Sequence, residues 1–152
     1  MNVDKTFGSI EPEAIYTQRV AAYVVIIEAG KIAAVCASGK CFLPGGGSLN
    51  SEAATETIIR EVREELSRSV RLTVQVGTAI QYFFSEADNR HYKMFATFFA
   101  GEFLYGEAHE AKGEHEMCWI PTASVRDSFF HECHTWAIFE TIRVCRSRET
   151  NE

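Results

Sequence analysis

The chain of 152 residues carries 15 Lys and Arg against 21 Asp and Glu, a net charge of −6. At 46% hydrophobic, 12% aromatic and 24% charged, it has the make-up of a folded globular chain and not of a disordered one. The acidic balance, with no Lys/Arg block, excludes a scaffold held to nucleic acid through phosphates. One domain, residues 1–152, with one core is the expectation at this length.

Residues 1–17 lack periodicity and read as a loose N-terminal extension or an added edge strand. The longest apolar run, residues 20–27, falls far short of the roughly 20 residues that span a bilayer, so no membrane partner is expected. No basic start followed by an apolar core marks a secretory signal, which makes a cytoplasmic location the expectation. Residues 20–27 and 32–37 flank Glu28-Ala29-Gly30-Lys31 and read as a hairpin. Phe42-Leu43-Pro44 then enters Gly45-Gly46-Gly47, which interrupts regular structure.

Ser51 is the expected cap of a helix over residues 53–66, with Ile58, Ile59, Val62 and Leu66 on one core-facing stripe. Residues 72–76, 79–84 and 92–100 read as strands, the last two joined by a polar turn at 87–90. An acidic loop over 102–116 leads to a short strand at 117–120, a short helix at 122–129 and an amphipathic helix at 134–146. Strands interleaved with helices give an α/β layered fold. Five cysteines (Cys36, Cys41, Cys118, Cys133, Cys145) form no CxxC pair, and an odd count fits a disulfide framework poorly; they read as small buried or half-buried thiols.

The unusual feature lies in Arg60-Glu61-Val62-Arg63-Glu64-Glu65. Glu61, Glu64 and Glu65 stand at i, i+3 and i+4, so their carboxylates share one helix face and repel. A helix selected for stability alone would not cluster them. Hard divalent cations reverse the sign, because Mg²⁺ or Mn²⁺ binds carboxylate oxygens and keeps waters and substrate phosphates as other ligands.

Gly46, five residues, Glu52, seven residues, Arg60-Glu61-Val62, one residue and Glu64-Glu65 together resemble the signature of the Nudix hydrolases (MutT-like). Ser67 and Arg68 depart from the glycine and aliphatic that end that signature. The resemblance implies an α/β/α sandwich with a mixed sheet and a glutamate-rich loop-helix motif. It also implies a metal-dependent pyrophosphohydrolase that cleaves a nucleoside diphosphate linked to another moiety: a nucleoside triphosphate, nucleotide sugar, ADP-ribose or dinucleoside polyphosphate. On that reading Glu61, Glu64 and Glu65 hold Mg²⁺ or Mn²⁺, and the Gly45 carbonyl is a further ligand. Arg60 orients a neighbouring glutamate, while Glu52 braces the loop.

The general base varies within the family; Glu114 is the first choice from the loop preceding residues 117–120 and Glu116 the second, both also as metal ligands. Arg19, Tyr23 and Phe83 are candidate substrate contacts, with Phe42, Tyr82 and Phe84 as other stacking candidates. His131-Glu132-Cys133-His134 lacks HExxH spacing and reads as a helix start with a polar face, not a zinc site. The alternative function is a Nudix-fold module that senses a nucleotide metabolite without turnover. Many relatives pair as homodimers, so a homodimer is one expected assembly. The charge itself is local: residues 52–65 sum to −3 and residues 102–116 to −4, leaving +1 elsewhere. Such acidity would repel a bare diphosphate and attract a cation.

Overall fold

The computed structural model describes residues 2–105 and 113–150. In chain order the described elements are β1 (Lys5–Phe7), β2 (Tyr16–Val25), β3 (Ile27–Glu28), β4 (Lys31–Ala37), β5 (Lys40–Phe42) and β6 (Gly45–Gly47). The helix α1 (Ala54–Leu66) follows, then β7 (Val70–Ser85), β8 (Arg90–Phe103), β9 (Glu116–Pro121), α2 (Val125–Ser128) and α3 (Glu132–Thr150). A five-stranded mixed sheet runs β1-β7-β8-β2-β6, and a smaller one gathers β3, β5 and β9 around β4. No helix among the described residues is long and apolar enough to cross a membrane.

The run at residues 20–27 is not the hairpin strand that its turn suggests. Tyr16–Val25 lies inside the large sheet, parallel to β8 and antiparallel to β6. Only Ile27–Glu28 forms the hairpin with β4, around Ala29 and Gly30, both at positive φ. A continuous apolar run is what a strand covered on both faces requires. Ala21, Tyr23 and Val25 face a core with Cys133, Ala137 and Ile138 of α3. Ala22, Val24 and Ile26 face a second core with Ile58, Val62 and Leu66 of α1. The α/β/α sandwich therefore follows from two-residue alternation in β2.

Other boundaries moved for local reasons. Of the two readings of residues 1–17, the edge strand is realised over Lys5–Phe7, parallel to β7. Residues 72–84 belong to one 16-residue strand whose register shifts between Leu72/Val74 and Gln75/Gly77, so Gly77 marks a bulge and not a break. Ser51 sits at φ 66 and is not the N-cap of α1; that position is Ala53, whose N–H donates to Glu56 Oε1 at 3.1 Å. Ile59 is 44% exposed, whereas Thr57 is buried in its stead. Ser67 ends α1 in the left-handed conformation, φ 52 and ψ 44, where the family signature has glycine.

Candidate active site

The glycines shape the site by what they leave out. β6 pairs against β2 with Ala22 opposite Gly46 and Tyr23 opposite Gly45. A Cβ on Gly45, at φ 139, would lie 2.2 Å from the Ala22 carbonyl oxygen and 2.7 Å from Tyr23 Cα. A Cβ on Gly46 would lie 2.9 Å from the Glu61 carboxyl carbon. The bare backbone thus approaches α1 closely enough for the Gly45 N–H to donate to Glu65 Oε1 at 3.0 Å.

Arg60 joins the loop to the helix. Its guanidinium donates to Glu52 Oε2 at 2.7 Å and Oε1 at 3.0 Å, to Glu61 Oε1 at 2.9 Å, to Glu64 Oε2 at 3.1 Å and to the Gly47 carbonyl at 2.9 Å. Glu52 also accepts from the Leu49 N–H and the Thr57 hydroxyl, at 2.9 and 2.8 Å. Hydrogen bonding from Arg60, aided by the Leu49 amide, holds the Glu52 carboxyl down at about 2. Glu52 braces the loop through these contacts.

The remaining carboxylates are less comfortable. Burial pushes Glu65 up to about 8, with the Gly45 amide opposing and the charges of Glu61, Glu114 and Glu64 adding to the rise. Burial also raises Glu61, against the pull of Arg60. Glu64 is 48% exposed at its side chain. The Glu114 and His115 N–H groups donate to the Glu64 and Glu65 carbonyls at 3.0 and 2.9 Å, which satisfies helix-end acceptors and docks this segment on α1. Gly113 makes the docking feasible, since a Cβ there would sit 2.1 Å from the Glu65 carbonyl oxygen. Glu116 opens β9 opposite Cys36 and is exposed. Residues 106–112 of the expected acidic loop, with Glu107 and Glu110, lie outside the described residues. Among the described residues no three His, Cys, Asp or Glu side chains converge as a ready-made metal cluster, and Glu61 and Glu64 are each paired with Arg60.

A cavity of about 400 Å³ adjoins this helix and is lined by Arg19, Tyr23, Phe42, Gly45, Gly46, Glu65, Phe83 and His115, among others. It brings together the three expected substrate contacts and part of the carboxylate set. Tyr23 is nearly buried, and its hydroxyl donates to Met94 Sδ at 3.6 Å. Burial pushes that phenol up to about 12. Tyr82 and Phe84 do not line this cavity; they pack against Tyr16 and His91, with ring centroids 5.3 and 4.9 Å apart.

Other lining residues were not assigned to the site from sequence, among them Lys40, Tyr92, Phe130 and His131. Phe83 stacks on Tyr92 at 5.3 Å and meets His131 edge-on at 4.5 Å, and Lys40 Nζ lies 4.4 Å over the Phe130 ring. His131 and His134 form no polar face. Both are buried, and His134 Nδ1 accepts from the Leu43 N–H at 3.1 Å. Burial drives His131 down to about 4, with the Arg19 and Lys40 charges adding to the fall. His131 therefore stands as a neutral ring at the cavity wall. Helical spacing held a signal for His134, which shares a stripe with Ala137, Ile138 and Thr141, all buried.

Known proteins share this fold. The solved structure of a NUDIX hydrolase from Nitrosomonas europaea matches with a TM-score of 0.64 at 18% identity, over 84% of this chain and 90% of that one. An ADP-ribose pyrophosphatase from Streptococcus suis matches with a TM-score of 0.60 at 20% identity, over 86% and 93%. The dihydroneopterin triphosphate pyrophosphohydrolase of E. coli matches with 0.61 at 18% identity, over 82% and 94%. These likenesses show the fold. No curated protein sequence matches the chain. The sequence profile of the NUDIX domain matches residues 17–138, which include the glycine loop, the glutamate helix and the cavity wall from Arg19 to His131; the chain belongs to the NUDIX family.

Proposed function

We propose that this chain is a metal-dependent pyrophosphohydrolase cleaving a nucleoside diphosphate linked to another moiety, by attack of water on phosphorus. One observation carries the reading: Gly45, Gly46 and Glu65 border a cavity whose other walls include Phe42, Phe83 and Phe130. Carboxylates beside aromatic rings suit a substrate with a phosphate chain at one end and a planar group at the other. Solved relatives named for ADP-ribose and dihydroneopterin triphosphate support that class.

The ion in this reading is Mg²⁺ or Mn²⁺, held by Glu61, Glu64 and Glu65, with the Gly45 carbonyl, Glu114 and Glu116 as further ligands. The donor set is all oxygen, as hard divalent cations prefer. Electrostatics also fits it: Glu65 is pushed up to about 8 by burial and by three neighbouring carboxylates, a state that a cation would relieve. When bound, the ion neutralises diphosphate charge and acidifies water.

The chain's own groups do the positioning. Arg60 sets the carboxylates of Glu61 and Glu64, and the Gly45 amide sets Glu65. Glu114, on the segment docked against the end of α1, is the first choice to take the proton from the attacking water. Arg19 offers charge to the phosphates, Phe83 a stacking face and Tyr23 a packed floor. The test is a panel of nucleoside triphosphates, ADP-ribose, nucleotide sugars and dinucleoside polyphosphates with Mg²⁺ or Mn²⁺. Turnover abolished by Glu64→Gln or Glu65→Gln supports the roles, and turnover unchanged by both overturns them. Tight nucleotide binding with no turnover would favour a sensor instead.

A further inference from the structure

Away from the carboxylates, the small sheet brings thiols together. β4 and β5 are joined by Ser38 and Gly39 alone, at φ 52 and 75. Positive φ at both positions is the type I′ geometry of a two-residue hairpin. In such a hairpin the pair flanking the turn, here Ala37 and Lys40, exchanges backbone hydrogen bonds and the next pair out does not. That next pair is Cys36 and Cys41. Non-hydrogen-bonded partners stand about 4.5 Å apart at Cα. This falls inside the roughly 4.4–6.8 Å over which a disulfide closes without backbone movement. The side chains already meet, with Sγ to Sγ at 3.2 Å, and both residues are half-buried.

We propose that Cys36 and Cys41 are a thiol–disulfide site, whose oxidation closes a cross-strand bridge and staples the hairpin that walls the cavity. Ala37, Lys40 and Phe42 line that cavity and alternate along the strands with the two cysteines. The bridge therefore forms on the far face and holds the spacing of the wall without filling the cavity.

The oxidant is a small-molecule disulfide of the glutathione type. Both thiols are half-buried and either can open the exchange. When Cys41 opens it, the Cys41 thiolate attacks one sulfur of the external disulfide, forming a mixed disulfide and releasing one thiolate. Cys36 then loses its proton as its sulfur attacks Cys41 Sγ, breaking the mixed disulfide and releasing the second small thiol. Two protein thiols are oxidised and one external disulfide is reduced to two thiols. Cys118, paired opposite Ala34, lies diagonally from Cys36 and is the competing sulfur.

The chain is equilibrated with oxidised glutathione, its remaining thiols are blocked, and it is digested with trypsin. Cleavage after Lys31, Lys40 and Arg60 puts the two cysteines on separate peptides, 32–40 and 41–60. The expected result is an intact mass lower by two hydrogens once mixed disulfides on other cysteines are discounted. Those two peptides are then joined, and dithiothreitol separates them. Cys118→Ser and Cys145→Ser keep the bridge, while Cys36→Ser leaves a mixed disulfide on Cys41. Both peptides carrying only free or glutathione-capped thiols in the unsubstituted protein would overturn the proposal, as would a bridge that maps to Cys118.

Discussion

Arg60 grips Glu52 with two hydrogen bonds, Nε to Oε2 at 2.7 Å and Nη2 to Oε1 at 3.0 Å, while its third nitrogen holds Glu61 and Glu64. One guanidinium thus fixes the loop and two proposed metal ligands together. Arg60→Ala is expected to weaken Mn²⁺ binding by about 10–100-fold, the range for losing an outer-shell partner of a metal ligand. Arg60→Lys should recover only part, because an ammonium lacks the planar fork. Calorimetric titration of Mn²⁺ into each variant reads the difference.

The two glycines separate site from fold. At Gly46 an added methyl meets the Glu61 carboxylate at 2.9 Å, so Gly46→Ala should lower turnover while the unfolding midpoint moves little. At Gly45 the methyl meets main chain at 2.2 Å in a positive-φ conformation. Gly45→Ala is expected to cost about 1–3 kcal/mol or more, measured by urea unfolding.

The glutamate helix was legible because its carboxylate spacing conflicts with helix stability and so marks a purpose. The α1 stripe was legible through Ile58, Val62 and Leu66, but Ile59 was not, because Thr57 takes its buried place by bonding Glu52 and Ser48. Long-range pairing hid the rest. Nothing local says that residues 20–25 lie parallel to β8, or that Lys40, Tyr92, Phe130 and His131 meet at one cavity. His131 and His134 misled because a histidine pair looks polar, whereas helical phase and burial keep both neutral.

Stability should peak near neutrality in the metal-free protein, for two opposing reasons. His131 titrates at about 4 folded against 6.5 ordinarily, so the unfolded chain binds more protons between those values and stability rises with pH. His134 shifts the same way. Glu65 titrates at about 8 folded against 4.5 ordinarily, so the folded chain binds more protons and stability falls as pH rises toward 8. From these groups, stability in EDTA is expected to climb to about pH 6.5 and then decline. Added Mg²⁺ should remove the decline, as melting temperatures across pH will read.

Ser67 holds a left-handed conformation that costs a side-chain-bearing residue about 1–2 kcal/mol and glycine little. Ser67→Gly should therefore stabilise the chain by about 0.5–1 kcal/mol after glycine's greater unfolded entropy is offset. Turnover should be unchanged, because the substitution leaves the carboxylates where they are. Paired urea melts and rate measurements check both parts.

The central claim is tested most directly by turnover in ¹⁸O-labelled water, with product identification by mass spectrometry across the nucleotide panel. The account predicts a nucleoside monophosphate and a phosphorylated remainder, one ¹⁸O on a product phosphate, and loss of the reaction in EDTA and in Glu64→Gln or Glu65→Gln. Product phosphates free of label, or cleavage that persists in EDTA and in both variants, would contradict it.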